Sequence, residues 1–81
     1  MMYSEREVLD IAMRNSYEVL VNGIDEGDFD LSEFIFFAHN PGSRFKKKEI
    51  EGMLIYFTEI EEYEKCIKLK EKLDLREYSR G

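Results

Sequence analysis

Eighty-one residues, 43% of them hydrophobic, carry enough apolar pattern for one small folded domain over residues 1–81 and too little surface to build two cores. A formal net charge of -6 disfavours nonspecific binding to nucleic acid or an anionic membrane, because phosphates repel the chain at long range. One cysteine excludes an internal disulfide, no apolar run approaches the ~18 residues of a bilayer span, and the start MMYSEREVLD is acidic where a signal peptide is basic, so a reducing, cytoplasmic setting is expected.

The charge is uneven. Residues 1–35 hold nine acidic side chains against Arg6 and Arg14, whereas residues 36–81 hold nine acidic against ten basic. The first helix opens at Ser4-Glu5-Arg6-Glu7, a capping box in which the serine hydroxyl accepts from the Glu7 N–H and the carboxylate reaches back. Val8, Leu9, Ala12, Met13, Tyr17, Val19 and Leu20 then recur at helical spacing as one stripe. Asn22-Gly23 stops it, with Ile24 folding back over a glycine-type end. Residues 17–21 alone also suit a short strand; the caps at both ends favour a helix over 4–22.

A second start follows the acidic turn Asp25-Glu26-Gly27-Asp28, where Asp30 and Glu33 form another capping box and Phe29 staples against Phe34. The predicted helix, 30–39, runs through Leu31 and Phe34–Ala38 to Asn40-Pro41-Gly42, which cannot continue it. Four consecutive large apolar residues also fit a buried strand, but the acidic cap and the lack of a matching strand favour helix. From Ser43 the composition is helical to about Glu77, with Ile50, Met53, Leu54, Phe57 and Ile60 as one stripe. The phase then changes: a heptad continued from Ile50 and Phe57 puts Glu64 and Glu71 on the seam, while the apolar residues fall at Tyr63, Cys66, Ile67 and Leu73. Either one long helix shifts its face, or the chain turns near 59–62. The turn is favoured, because an antiparallel pair over 43–60 and 62–77 buries both stripes. The fold class is therefore all-α, a small four-helix domain with a C-terminal antiparallel hairpin against which the first two helices pack.

Residues 63–73, YEKCIKLKEKL, resemble the second half of the UVR motif, a helical hairpin of the B and C subunits of bacterial nucleotide excision repair and of some protease adaptors. Tyr63, Glu64, Lys65, Leu69 and Leu73 fall in place, and Ile50, Leu54 and Phe57 match apolar positions of its first helix, so the likeness spans about residues 47–75. It departs at Cys66-Ile67, where the family has two alanines, and at Ile60, where it turns with polar residues. The resemblance implies a hairpin that docks onto a like hairpin in another protein or copy, and no catalysis.

Little else points to chemistry. His39 and Cys66 are single, without the paired spacing of zinc ligands. Asp28-x-Asp30-x-Ser32 starts like a calcium loop, but Glu33 stands where glycine is needed and His39 where a bidentate glutamate is needed. Neither metal nor other cofactor is expected. His39, beside Asn40-Pro41, suits the negative end of the second helix dipole, and Cys66 reads as a small core residue. No nucleophile elbow or phosphate loop surrounds Ser4, Ser16, Ser32, Ser43 or Ser79, and no cleft is marked around carboxylate pairs such as Glu61-Glu62, so an enzyme is not expected. The cluster Arg44, Lys46, Lys47, Lys48 opens a helix, where cations oppose the dipole; it suits phosphate or an acidic partner, or serves only solubility beside Glu49 and Glu51. The favoured expectation is a protein-binding module, an adaptor or regulator with Phe36, Phe37, Tyr56 and Tyr63 as anchors, docking a protein or a second copy as a homodimer. The alternatives are a nucleic-acid-associated regulator using Arg44 and Lys46–Lys48 and, less favoured, an acidic nucleic-acid mimic using residues 25–33.

Overall fold

The computed structural model describes residues 4–29 and 36–78, and side chains as far as residue 75. Among these residues the chain is all-α, with three α-helices and no strand: α1 (Glu5–Asn22), α2 (Lys47–Glu59) and α3 (Tyr63–Tyr78), besides a single 3-10 turn at Glu26–Asp28. No helix among them is long and apolar enough to cross a membrane. The chain divides into two compact units, Met1–Arg44 and Phe45–Gly81.

In the first unit, the Ser4 hydroxyl accepts from the Glu7 N–H at 3.2 Å and Glu7 Oε1 accepts from the Ser4 N–H at 3.3 Å, so the predicted box starts α1. Gly23 ends it at φ 69°, a left-handed conformation that costs glycine no steric clash, and the Gly23 and Ile24 N–H groups both donate to the Glu18 carbonyl. Ala12 and Tyr17 of the predicted stripe are buried, but the most buried residue of α1 is Ser16, at zero exposure. Asp25 then begins the short turn, its Oδ1 accepting from the Gly27 N–H at 2.8 Å.

The expected second helix does not reach its predicted end, and among the described residues three α-helices stand where four were expected in the chain. Its start, residues 30–35, with the Asp30–Glu33 box and the Phe29–Phe34 staple, lies outside the described residues. Residues 36–39 are not helical, and the reason is tertiary. The Phe36 carbonyl accepts from Asn15 Nδ2 at 3.1 Å, and the Ala38 N–H donates to Ser16 Oγ at 2.7 Å. Side chains of α1 thus satisfy backbone groups that a helix would pair internally. A turn closes the unit: the Ser43 N–H donates to the Asn40 carbonyl at 3.1 Å, with Gly42 at φ 81°.

The second unit is a helical hairpin. The helix expected from Ser43 begins instead at Lys47, where Glu49 Oε1 accepts from the Lys46 N–H at 2.7 Å, one half of a capping box. The expected turn is present and is built without glycine or proline. Glu61 takes φ 62°; its N–H donates to the Thr58 carbonyl at 3.1 Å, and the Glu62 N–H donates to the Phe57 carbonyl at 2.9 Å. These are the two bonds of a Schellman end, with a glutamate in the left-handed position. The Glu62 carbonyl then accepts from Lys65 and Cys66, and α3 begins. The two helices pack on each other with Ile50, Met53, Phe57 and Leu69 buried. Contacts from Cys66 Sγ to Thr58 Oγ1 (3.3 Å) and to the Leu54 carbonyl (3.9 Å) mark the seam.

Candidate interaction surface

The first unit's buried polar groups form one connected network. Ser16 Oγ and His39 Nδ1 are 2.6 Å apart, His39 Nε2 bonds Glu26 Oε2, and Glu26 Oε1 accepts from the Gly42 N–H at 2.9 Å. A carboxylate only accepts, so Nε2 carries a proton; in the neutral ring Nδ1 then accepts from the Ser16 hydroxyl, whose oxygen takes the Ala38 N–H. Every member is satisfied in that arrangement. The Gly42 N–H and then the His39 bond hold the Glu26 carboxyl below its ordinary pKa, since both stabilise the charged form.

Ser, His and Glu in series invite a comparison with hydrolytic triads, but the order of exposure is reversed. The hydroxyl at Ser16 lies wholly buried in mid-helix, while the carboxylate at Glu26 is the end nearer solvent. A nucleophile must meet its substrate, and this hydroxyl is spent on the Ala38 N–H and the imidazole. The network instead fastens α1, the Glu26–Asp28 turn and residues 38–42 to one another. His39 is therefore no helix cap: it lies in a non-helical segment and serves these tertiary bonds. From the sequence Ser16 is only a serine without a nucleophile elbow, although its place four residues after Ala12 on an apolar stripe is a signal for a buried hydrogen-bond partner.

The four aromatic anchors divide between the units. Phe36 and Phe37 are half-buried in the first, where the Phe37 ring meets Phe29 edge-on at 5.2 Å and His39 at 5.1 Å. Phe37 also lines an open, mainly apolar groove of about 540 Å³ with Val8, Leu9, Ala12 and Met13 of α1. In the second unit Tyr56 is half-buried with its ring against Phe57, whereas Tyr63 is 56% exposed at the start of α3. Tyr63 is accompanied by Ile67, read from the sequence as part of the apolar phase of the last helix, and by Ile55, which was not singled out; each is 60% exposed. Helical spacing sets these three on the solvent side of the Leu54, Thr58 and Cys66 seam, away from Met53, Phe57 and Leu69. The Cys66 thiol is half-buried in that seam.

Arg44, Lys46, Lys47 and Lys48 are all exposed. Arg44 closes the first unit, Lys46 takes the N-cap position of α2 and Lys47 and Lys48 lie in its first turn, so three of the four cations stand at one helix end. On the acidic side, Asp25 caps the 3-10 turn and Glu26 is committed to His39 and Gly42, while Asp30 and Glu33 lie outside the described residues. Among the described residues no three His, Cys, Asp or Glu side chains come together as a metal ion would require.

Fold and surface together define an all-α chain with a C-terminal helical hairpin that leaves large apolar side chains in water. Compared with protein-family models, curated proteins and solved structures, the chain has no significant match.

Proposed function

We propose that the protein is a non-enzymatic interaction module, an adaptor or regulator, that docks a protein partner through the outer face of the α2–α3 hairpin. The observation that carries this reading is the exposure of Ile55, Tyr63 and Ile67 together on one face of a hairpin that already buries Ile50, Met53, Phe57 and Leu69. Single exposed apolar residues need no explanation; three large ones beside one seam mark a contact surface. Tyr63 suits an anchor, because a phenol brings apolar area and a hydrogen-bonding tip for little rotamer entropy. The likeness of residues 47–75 to the UVR hairpin supports the same reading, since that motif is a docking element.

Affinity capture from the native host with wild-type protein and the Tyr63→Asp variant, followed by mass spectrometry, tests it. A protein held by wild type and lost by a folded variant is the expected result; partners retained equally by both overturn the reading. The exposed lysines at the start of α2 favour nucleic acid as the second reading. Direct binding to DNA or RNA that falls steeply with salt and disappears when Lys46, Lys47 and Lys48 become glutamate would establish it instead.

A further inference from the structure

The twelve lysines and arginines differ in the backbone that carries them. Arg6 and Arg14 lie in α1, Lys47 and Lys48 in the first turn of α2, and four lysines with Arg76 in α3, while Arg80 is outside the described residues. Among the described residues only Arg44 and Lys46 stand outside a helix. Lys46 is nevertheless tied to one: its carbonyl accepts from the Glu49 and Ile50 N–H groups at 3.0 and 3.2 Å, and its own N–H donates to Glu49 Oε1. That singles out the peptide bond from Arg44 to Phe45. Residues 40–44 before it are exposed and Phe45 after it is half-buried, so the cation, not the ring, is presented to solvent.

We propose that the bond from Arg44 to Phe45 is a processing site for an endoprotease that cleaves after arginine. Such an enzyme holds its substrate as an extended strand and seats the residue before the scissile bond in a pocket fitted to a guanidinium. Cations on a helix are shielded from it until a turn unwinds, whereas Arg44 is not. The Gly42 N–H on Glu26 Oε1 and the Lys46 N–H on Glu49 Oε1 anchor the chain on either side. Between these anchors, the Ser43 N–H must leave the Asn40 carbonyl, a single bond of 3.1 Å between two exposed residues. Water is the co-reactant: its oxygen adds to the Arg44 carbonyl carbon, the C–N bond breaks, and a proton goes to the Phe45 nitrogen, leaving a carboxylate and an amine.

The cut coincides with the end of the first unit. The Ser16, His39, Glu26 and Gly42 network lies wholly before it, and both hairpin helices lie wholly after it. It also divides the charge: residues 1–44 hold nine acidic and three basic side chains, residues 45–81 nine of each. The first unit thus carries the whole formal charge of -6, and a hairpin released from it meets an acidic partner without long-range repulsion. That last consequence rests on the reading of the hairpin as a docking element; the cleavage does not.

Brief trypsin digestion of the folded full chain, followed by mass spectrometry, tests the site. The first internal cut is expected after Arg44, with any trimming of the tail confined to Arg76 and Arg80. Arg44→Gln should slow the separation of residues 1–44 from the hairpin about tenfold or more, with unchanged circular dichroism. In urea, Arg6 and Arg14 should be cut as fast as Arg44, because no helix then shields them. First cuts inside α1, α2 or α3, first cuts after Lys46, or undiminished separation in Arg44→Gln overturn the proposal. In the native host, a C-terminally tagged chain should yield a fragment beginning at Phe45 that the Arg44→Gln chain lacks; a wild-type chain that stays intact there also overturns it. Capture through Tyr63 is read separately, so either reading can fail alone.

Discussion

The two units are held together by different physics. In the first, buried polar atoms do much of the joining: Ser16, His39 and Glu26 tie a helix, a turn and an irregular segment into one piece, and Asn15 reaches the Phe36 carbonyl. In the second, Ile50, Met53, Phe57 and Leu69 are buried, and the backbone completes its own turn. The contrast follows from the sequence. Residues 36–42 carry backbone groups that no helix pairs, so they need donors and acceptors from side chains, whereas a two-helix hairpin satisfies its backbone internally. A hydrogen-bonded network depends on every member, because losing one leaves the others unpaired; an apolar core loses roughly what is cut away.

The largest effect should come from the apolar side of this contrast. Phe57→Ala removes a wholly buried ring and should cost about 3–5 kcal/mol, read as loss of cooperative unfolding in urea. Ser16→Ala removes a single oxygen, yet takes away both the acceptor of the Ala38 N–H and the hydroxyl bonded to His39 Nδ1, so about 1–3 kcal/mol is expected. Amide hydrogen exchange sharpens the comparison. If the units are energetically separate, Ser16→Ala lowers protection in α1 and leaves α2 and α3 unchanged; an equal loss throughout makes the chain one cooperative unit and dissolves the distinction.

How far the sequence foretold these features depended on the range of the interactions. Both ends of α1 were legible because a capping box and a glycine stop act within a few residues. The hairpin turn was legible for another reason: the apolar phase of residues 50–60 disagrees with that of 63–73, and only a break reconciles them. What escaped was long-range. Ser16 and His39 are 23 residues apart and Glu26 lies 13 before His39, so no local pattern joins them. Bonds of similar range, from Asn15 to the Phe36 carbonyl and from the Ala38 N–H to Ser16, overrule the helical pattern of residues 36–39. On the surface, Tyr63 was singled out for its chemistry and Ile67 for the apolar phase of residues 63–73, whereas Ile55 falls outside the stripe of residues 50–60; all three are exposed.

A smaller effect, of opposite sign, belongs to the hairpin. Glu61 holds φ 62° without being glycine, at a steric cost of roughly 1–2 kcal/mol, while glycine adds about 0.4–1 kcal/mol of unfolded-state entropy. Glu61→Gly should therefore stabilise the protein by about 0.5–1 kcal/mol, seen as a rise of a few degrees in Tm. A fall would mean that the glutamate side chain makes a contribution larger than the backbone strain it imposes.

The smallest expected effect tests the polar unit through acidity. Glu26 is held ionised by the Gly42 N–H and by His39, so its folded pKa is below that of the unfolded chain, where the ordinary value is 4.5. The sign follows from proton linkage: above the unfolded value both states are ionised and the contribution is fully present, and as pH falls through the folded value the proton binds and the contribution is lost. Wild type should consequently lose stability below about pH 4.5 more steeply than Glu26→Gln, which is less stable at neutral pH and has no carboxylate to protonate there. Chemical denaturation of both proteins across that range measures the difference. Parallel curves would show that the network draws its strength from geometry alone, with the charge on Glu26 contributing nothing to the fold.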